Sequence, residues 1–175
     1  MDPTHPTLRR LLRGDNRGQA IVEFTLFGMV LVLLFCGLID FSRIIRDRLI
    51  LINLSREGSN LASRATPMTN AVTDVINDAY PLNMNNGRVI ISSVFNSNGT
   101  CIVTAQVTGG GLSGASSRIG SVGGKATLPA TSVTLPQLNQ YLYVTEVYWP
   151  FTPLTPIGRL LRWTVPSVLY DVAYF

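Results

Sequence analysis

From Phe24 to Ile39 the chain reads FTLFGMVLVLLFCGLI, 16 consecutive residues without a charge. With Ala20 to Val22 before it and Phe41 after it, the apolar stretch reaches about 20 residues, the length at which an α-helix crosses the hydrocarbon of a bilayer. Gly28 and Gly37 agree with this, because glycine is more frequent in spanning helices than in soluble ones. The run also accounts for an unusual composition. Of the 175 residues 46% are hydrophobic and 14% charged, against about 25% charged in ordinary soluble domains. A chain of this length holds one modest globular domain and an appendage, and the apolar run is the appendage.

The net charge of +4 is not spread as on a nucleic-acid-binding face. Arg9, Arg10, Arg13 and Arg17 all precede the apolar run, where basic residues hold a flanking segment in the cytoplasm. Removing residues 1–18 takes away four of the 14 basic and two of the 10 acidic residues and leaves a net of +2. No basic surface remains to follow phosphates, so no nucleic-acid partner is expected. Charge alone does not set the topology, since Arg43, Arg46 and Arg48 flank the other end. Cys36 lies inside the span and Cys101 in the polar half, so the two are not expected to pair. Phe35 stands where a lipoprotein signal needs a small residue, and no Ala-x-Ala site follows the run. The apolar segment is therefore expected to be retained.

Residues 1–18 read as a polar leader broken by Pro3, Pro6, Gly14 and Gly18. A long helix over residues 19–66 follows, with the span at about 20–41. Beyond the span, Phe41, Ile45, Leu49 and Ile52 recur at helical spacing and predict an apolar stripe that packs on the chain's own domain or on neighbouring copies. Residues 67–175 are expected to form an extracytoplasmic α+β domain. Its parts are a short helix over 69–79, a hairpin of Arg88–Phe95 and Thr100–Thr108 turning at Asn98-Gly99, and strands over 141–149 and 168–175. The hairpin register pairs Val94 with Val103, Ser92 with Ala105 and Ile90 with Val107. The Gly-rich loop 109–124 is expected as a flexible excursion. The fold class is thus a long N-terminal helix, part span and part outer half, carrying a small antiparallel sheet.

Catalytic chemistry finds little to use. The single histidine is His5, inside the leader, which removes histidine triads, histidine bases and most zinc or iron sites. Asp74, Asp78, Glu146 and Asp171 are scattered along the outer portion. Gly109 to Gly114 match the GxGxxG spacing, but Gly120, Gly123 and Gly124 prevent a helix from opening there, and no acid lies between Gly114 and Glu146 to hold a ribose. Gly124-Lys125 is not a P-loop, because Ala126 follows where a hydroxyl is needed. No catalytic residue, cofactor or metal is expected, and the chain is read as a non-enzyme.

Glu23 is the anomaly of the run. A charge at the bilayer centre costs about 3 kcal/mol on insertion scales and less near the interface, so an acid one turn inside a span points to function. The simpler alternative is snorkelling to the headgroups. Gly18, then four residues, then Glu23 and the aromatic Phe24 leading into the span, resembles the cleavage signature of type IV prepilins. The stretch from Arg17 to Leu26 is similar to the start of the TadE-like pseudopilins of tight-adherence (type IVb, Flp) pilus systems. Asp40-Phe41, Arg56-Glu57-Gly58 and the aromatic-proline run Val147 to Leu154 resemble later segments of that family. The likeness covers the long helix well and the C-terminal third loosely, and the Gly-rich middle has no counterpart.

The resemblance implies a pilin-like fold and a membrane-embedded prepilin peptidase that cuts between Gly18 and Gln19. Glu23 would then be fifth in the mature chain, acting with Phe24 in recognition and assembly, its carboxylate offsetting the terminal amine of a neighbouring subunit. The implied partners are other pilins or pseudopilins, further copies of this chain and the pilus assembly machinery. The implied place is the inner membrane, with the N-terminus cytoplasmic and the domain outside. Gln19 departs from the Phe or Met that begins many mature pilins, which bears on N-terminal methylation. Two other readings stay open: an uncleaved signal-anchor protein with an outer ligand-binding domain, and a pseudopilin of a secretion machine.

Overall fold

The computed structural model describes residues 16–128, 136–160, 163 and 166–175. The leader expected over 1–18 lies outside the described residues as far as residue 15. Helix α1 runs Asn16–Ser63, 48 residues, or roughly 72 Å at 1.5 Å per residue. It stops short of the expected residue 66 because Ala65 takes a left-handed φ of 62° and Pro67 cannot continue the ladder. Helix α2, Met68–Asn77, starts directly from Pro67, whose carbonyl accepts from Asn70 N and Ala71 N at 2.9 and 3.0 Å. Its Ala71, Val72 and Val75 are buried.

Four antiparallel strands follow: β1 Arg88–Ser97, β2 Thr100–Gly109, β3 Tyr141–Pro150 and β4 Val168–Tyr174, with a short helix α3, Pro156–Leu160, before the last. The sheet order is β2-β1-β3-β4, so the α+β layout expected from the sequence is the one observed. Asn98 and Gly99 turn the hairpin with φ of 52° and 82°, the mirror-image turn whose twist suits paired strands. Val94 pairs with Val103 as expected, but the other two expected pairs do not form. The register shifts between Ser93 and Val94, so that Ser93 faces Ala105 and Ile91 faces Val107. Thr104 is the extra residue, its hydroxyl donating to the Ser93 carbonyl at 3.0 Å. Such a bulge moves the following residues to the opposite face, which sends Val103 to one core and Val107 to the other.

The sheet is covered on both sides. Its inner face packs Val89, Ile91 and Val147 against Leu51 and Leu54 of α1 and Val72 and Val75 of α2. Its outer face packs Val94, Val103 and Val144 against Ile119 and Ala126. These last two belong to the segment after β2, and they correct the expectation of a flexible excursion over 109–124. That segment is hydrogen-bonded to the sheet and to the 84–87 turn. Gly111 N and Leu112 N bind Met84 O and Gly87 O, and Gly123 N and Val103 N exchange bonds with Val103 O and Gly124 O. The anchor is Glu146, 0% exposed. Its Oε1 accepts from Arg118 N at 2.9 Å and faces the hydroxyls of Tyr148 and Tyr170 at 3.0 Å, and Ser117 Oγ donates to its Oε2. A buried carboxylate needs such partners, and the Gly-rich segment supplies two of them.

Candidate functional site

The apolar half of α1 projects from the domain with no part of its most apolar 18-residue window buried, and this helix is long and apolar enough to cross a membrane. Ile21, Val22, Phe24, Leu26 and Phe27 are all exposed, and at 3.6 residues per turn their positions go all round the helix, as lipid requires and as one-sided packing in water does not. The hydroxyl inside the run is satisfied locally, Thr25 Oγ1 donating to Ile21 O at 2.8 Å, and just past its end Ser42 Oγ donates to Leu38 O at 2.7 Å. In hydrocarbon no water would do this.

Gly18, Gln19, Glu23 and Phe24 lie together in the first turns of this exposed segment, and nothing comes within 4 Å of a Cβ added at Gly18. Glu23 is four residues from Gln19 and so on the same helix face. The helix begins at Asn16, so the Gly18–Gln19 bond is helical rather than outside the helix as expected. The sheet domain does not approach these four residues.

Beyond the span, the expected apolar stripe does not carry the chain's own domain, which leaves the other expected packing, on neighbouring copies, and its fourth member Ile52 is half-buried. Phe41, Ile45 and Leu49 are 61%, 46% and 56% exposed. The domain instead sits on Asp40, Asp47, Leu51, Leu54, Ser55, Gly58, Ser59 and Ala62, all buried. Their spacing is also helical, but small and polar residues dominate it. Small residues let the sheet approach, and hydroxyls pin it. Ser59 Oγ donates to Ala173 O at 2.9 Å and accepts from Thr145 N at 3.1 Å, while Ser55 Oγ binds Asp171 Oδ2. A count of apolar residues alone does not pick out the side that holds the domain.

At the membrane end of this interface is a collar built on Asp40. Its carboxylate accepts from Leu154 N at 2.9 Å, Thr155 N at 3.3 Å and Thr155 Oγ1. The Thr155 hydroxyl in turn accepts from Gly158 N at 3.0 Å, which makes Thr155 the N-cap of α3 with Pro156 at its first position. Gly158 has to be glycine here, since an added Cβ would overlap the Asp40 carboxylate and lie 2.7 Å from Pro153 Cβ. Arg43 stacks over Phe151 with its guanidinium 5.9 Å from the ring centroid. The sequence marked Asp40 only as the end of the span and residues 147–154 only by resemblance. The signal that would have joined them is Thr155-Pro156, a helix-capping pair directly after the aromatic-proline run. Glu146 was passed over as a scattered acid, and nothing local in the sequence distinguishes it.

Residues 18–60 match the family model described as TadE-like protein. The match takes in the exposed apolar segment and most of the helix that carries the domain. No curated protein and no solved structure matches the chain.

Proposed function

We propose that this chain, whose residues 18–60 match the TadE-like model, is a minor pseudopilin of a Tad pilus system. In this reading a prepilin peptidase cuts between Gly18 and Gln19. The span stays in the inner membrane with the N-terminus cytoplasmic, and the sheet domain stands outside. The chain then associates with other pilins or pseudopilins and with their machinery in assembly or initiation of the filament. It works by association and not by catalysis.

The observation that carries the reading is the unused stripe of α1. Phe41, Ile45 and Leu49 stay exposed beyond the span although the same helix holds a folded domain on its other side. They continue the apolar surface of the span into the water-facing half. Each is already about half covered, so burying the rest against a neighbouring helix contributes about 1 kcal/mol, which favours lateral packing along this part of the rod. Glu23 adds register. An unpaired carboxylate in lipid is costly, and a neighbour's new amine relieves it only at one stagger. Gly18 supports the cleavage step, since it weakens the helical turn a peptidase has to open by about 1 kcal/mol relative to alanine.

Mass spectrometry of the protein extracted from its own membranes tests the cleavage. A chain beginning at Gln19 is expected. A membrane-inserted chain beginning at Met1 or Asp2 would favour the uncleaved signal anchor instead.

A further inference from the structure

The collar fixes a second set of apolar side chains at a known height. Ala20 to Ile39 are about 30 Å of helix at 1.5 Å per residue, the thickness of the hydrocarbon core. Asp40 is then at the hydrocarbon boundary, and whatever binds it lies in the headgroup layer, about 5–7 Å deep on each side. Leu154 and Thr155 bind it through their backbone amides, and α3 starts from that contact. Leu154, Leu160 and Trp163 are 59%, 78% and 82% exposed.

Next to them is a groove of about 600 Å³ lined by Arg43, Phe151, Pro153, Leu154, Arg159 and Pro166, among others. No acidic side chain lines it, and among the described residues neither Arg43 nor Arg159 is within ion-pair distance of a carboxylate. Large apolar groups, an exposed tryptophan and two guanidiniums outside ion-pair distance of a carboxylate among the described residues match what a membrane surface offers. Tryptophan is favoured at the headgroup level, and arginine lays its stem on apolar groups while its head meets phosphates. In water, the same three apolar side chains would stay solvated a few ångströms from lipid.

We propose that α3 and its flanks are an interfacial anchor. Leu154, Leu160 and Trp163 enter the leaflet at the C-terminal end of the span, and Arg43 and Arg159 bind the phosphates of its anionic lipids. This rests on α1 crossing the membrane, but not on cleavage, on pilus assembly or on which side the domain faces. Two contacts, the span and the anchor, fix the tilt of the domain on the membrane, which one helix alone would leave free.

The test uses the full chain reconstituted in phosphatidylcholine vesicles, with and without phosphatidylglycerol, containing lipids brominated near the headgroup end of the acyl chains. Wild-type protein is compared with W163F, which alters an exposed side chain. The bromolipid-quenchable part of the tryptophan emission is expected to be lost in W163F, and to fall in the wild type when phosphatidylglycerol is omitted and in R159Q when it is present. Equal quenching in wild type and W163F overturns the proposal. So does a Trp163 shielded from acrylamide yet untouched by bromolipid, which would mean that a protein surface covers it. Flotation after an alkaline wash separates the two premises. Protein that leaves the vesicles overturns the span and the anchor with it, whereas protein that floats with Trp163 unquenched overturns the anchor alone.

Discussion

Replacing Glu146 should release the Gly-rich segment from the sheet, and the structure gives the size of the effect. In Glu146→Ala the Arg118 amide and the Ser117 hydroxyl lose their acceptor, as do the hydroxyls of Tyr148 and Tyr170. A buried donor left without a partner costs about 1–3 kcal/mol. Tyr148 keeps the Ser116 carbonyl at 2.9 Å, the losses are not additive, and removing a buried charge returns part of the cost. The net expected is a destabilisation of about 3 kcal/mol. Glu146→Gln keeps the shape and neutral versions of the bonds, so about 1 kcal/mol is expected.

Cys101 reports on the opening. It is buried in the same cluster as Ile119 and Ala126, both carried by the segment Glu146 holds. If thiol labelling passes through detachment of that segment, a change of 3 kcal/mol raises the labelling rate at Cys101 about 100-fold. The full chain in detergent is labelled with a maleimide and the adduct at Cys101 is counted by mass spectrometry, apart from Cys36. Labelling of Glu146→Ala within a factor of two or so of wild type would show that the carboxylate does not hold the segment, and the argument would fail.

Burial, reinforced by the Glu146 carboxylate, raises the Tyr148 and Tyr170 hydroxyls above their ordinary value and Tyr174 to about 12. Because the unfolded tyrosines ionise first, this contribution is complete below pH 10 and is lost as the pH climbs above it. For the well-buried Tyr148 the loss is at most about 1.4 kcal/mol per pH unit, read from denaturation midpoints at alkaline pH. Gly58→Ala should destabilise the domain by about 1–3 kcal/mol, since the new Cβ would lie 2.7 Å from Thr145 Cγ2. Adding Thr145→Ala, which removes that methyl and a hydroxyl with no hydrogen-bond partner, should restore much of the loss in the same denaturation. Partial burial and the nearby Asp78 and Asp74 carboxylates raise the Glu57 pKa. Its protonated form is thus favoured by folding, and the penalty appears as pH rises through the raised value. Glu57→Gln should stabilise by about 0.3 kcal/mol at neutral pH after solvent screening, with no gain in strong acid. Leu49→Arg should leave domain stability within about 0.5 kcal/mol, and Glu23→Ala should leave insertion intact. Both should deplete the protein from sheared pili or co-purified assemblies, and unchanged incorporation would remove the roles given to those residues.

Local pattern alone was enough for the features that depend on solvent and on short-range geometry. Sixteen uncharged residues have only a bilayer or a core as solvent, so the rod could be read directly, as could the acid set inside it. Asn98-Gly99 demands its turn through backbone sterics, and Val94 opposite Val103 follows from it. Long-range contacts decided the rest. Thr104 bulges because the strand has to serve two cores, and a pattern read for one buried face has no means of showing that. The domain chose the side of α1 bearing Ser55, Gly58, Ser59 and Ala62 because close approach and hydroxyl pins outweighed the area of Phe41, Ile45 and Leu49. Glu146 ordered a segment rich in glycine, and Asp40 drew Thr155 across more than a hundred residues of chain. A carboxylate's partners are set by where the fold buries it, and only the tertiary structure shows which donors arrive there.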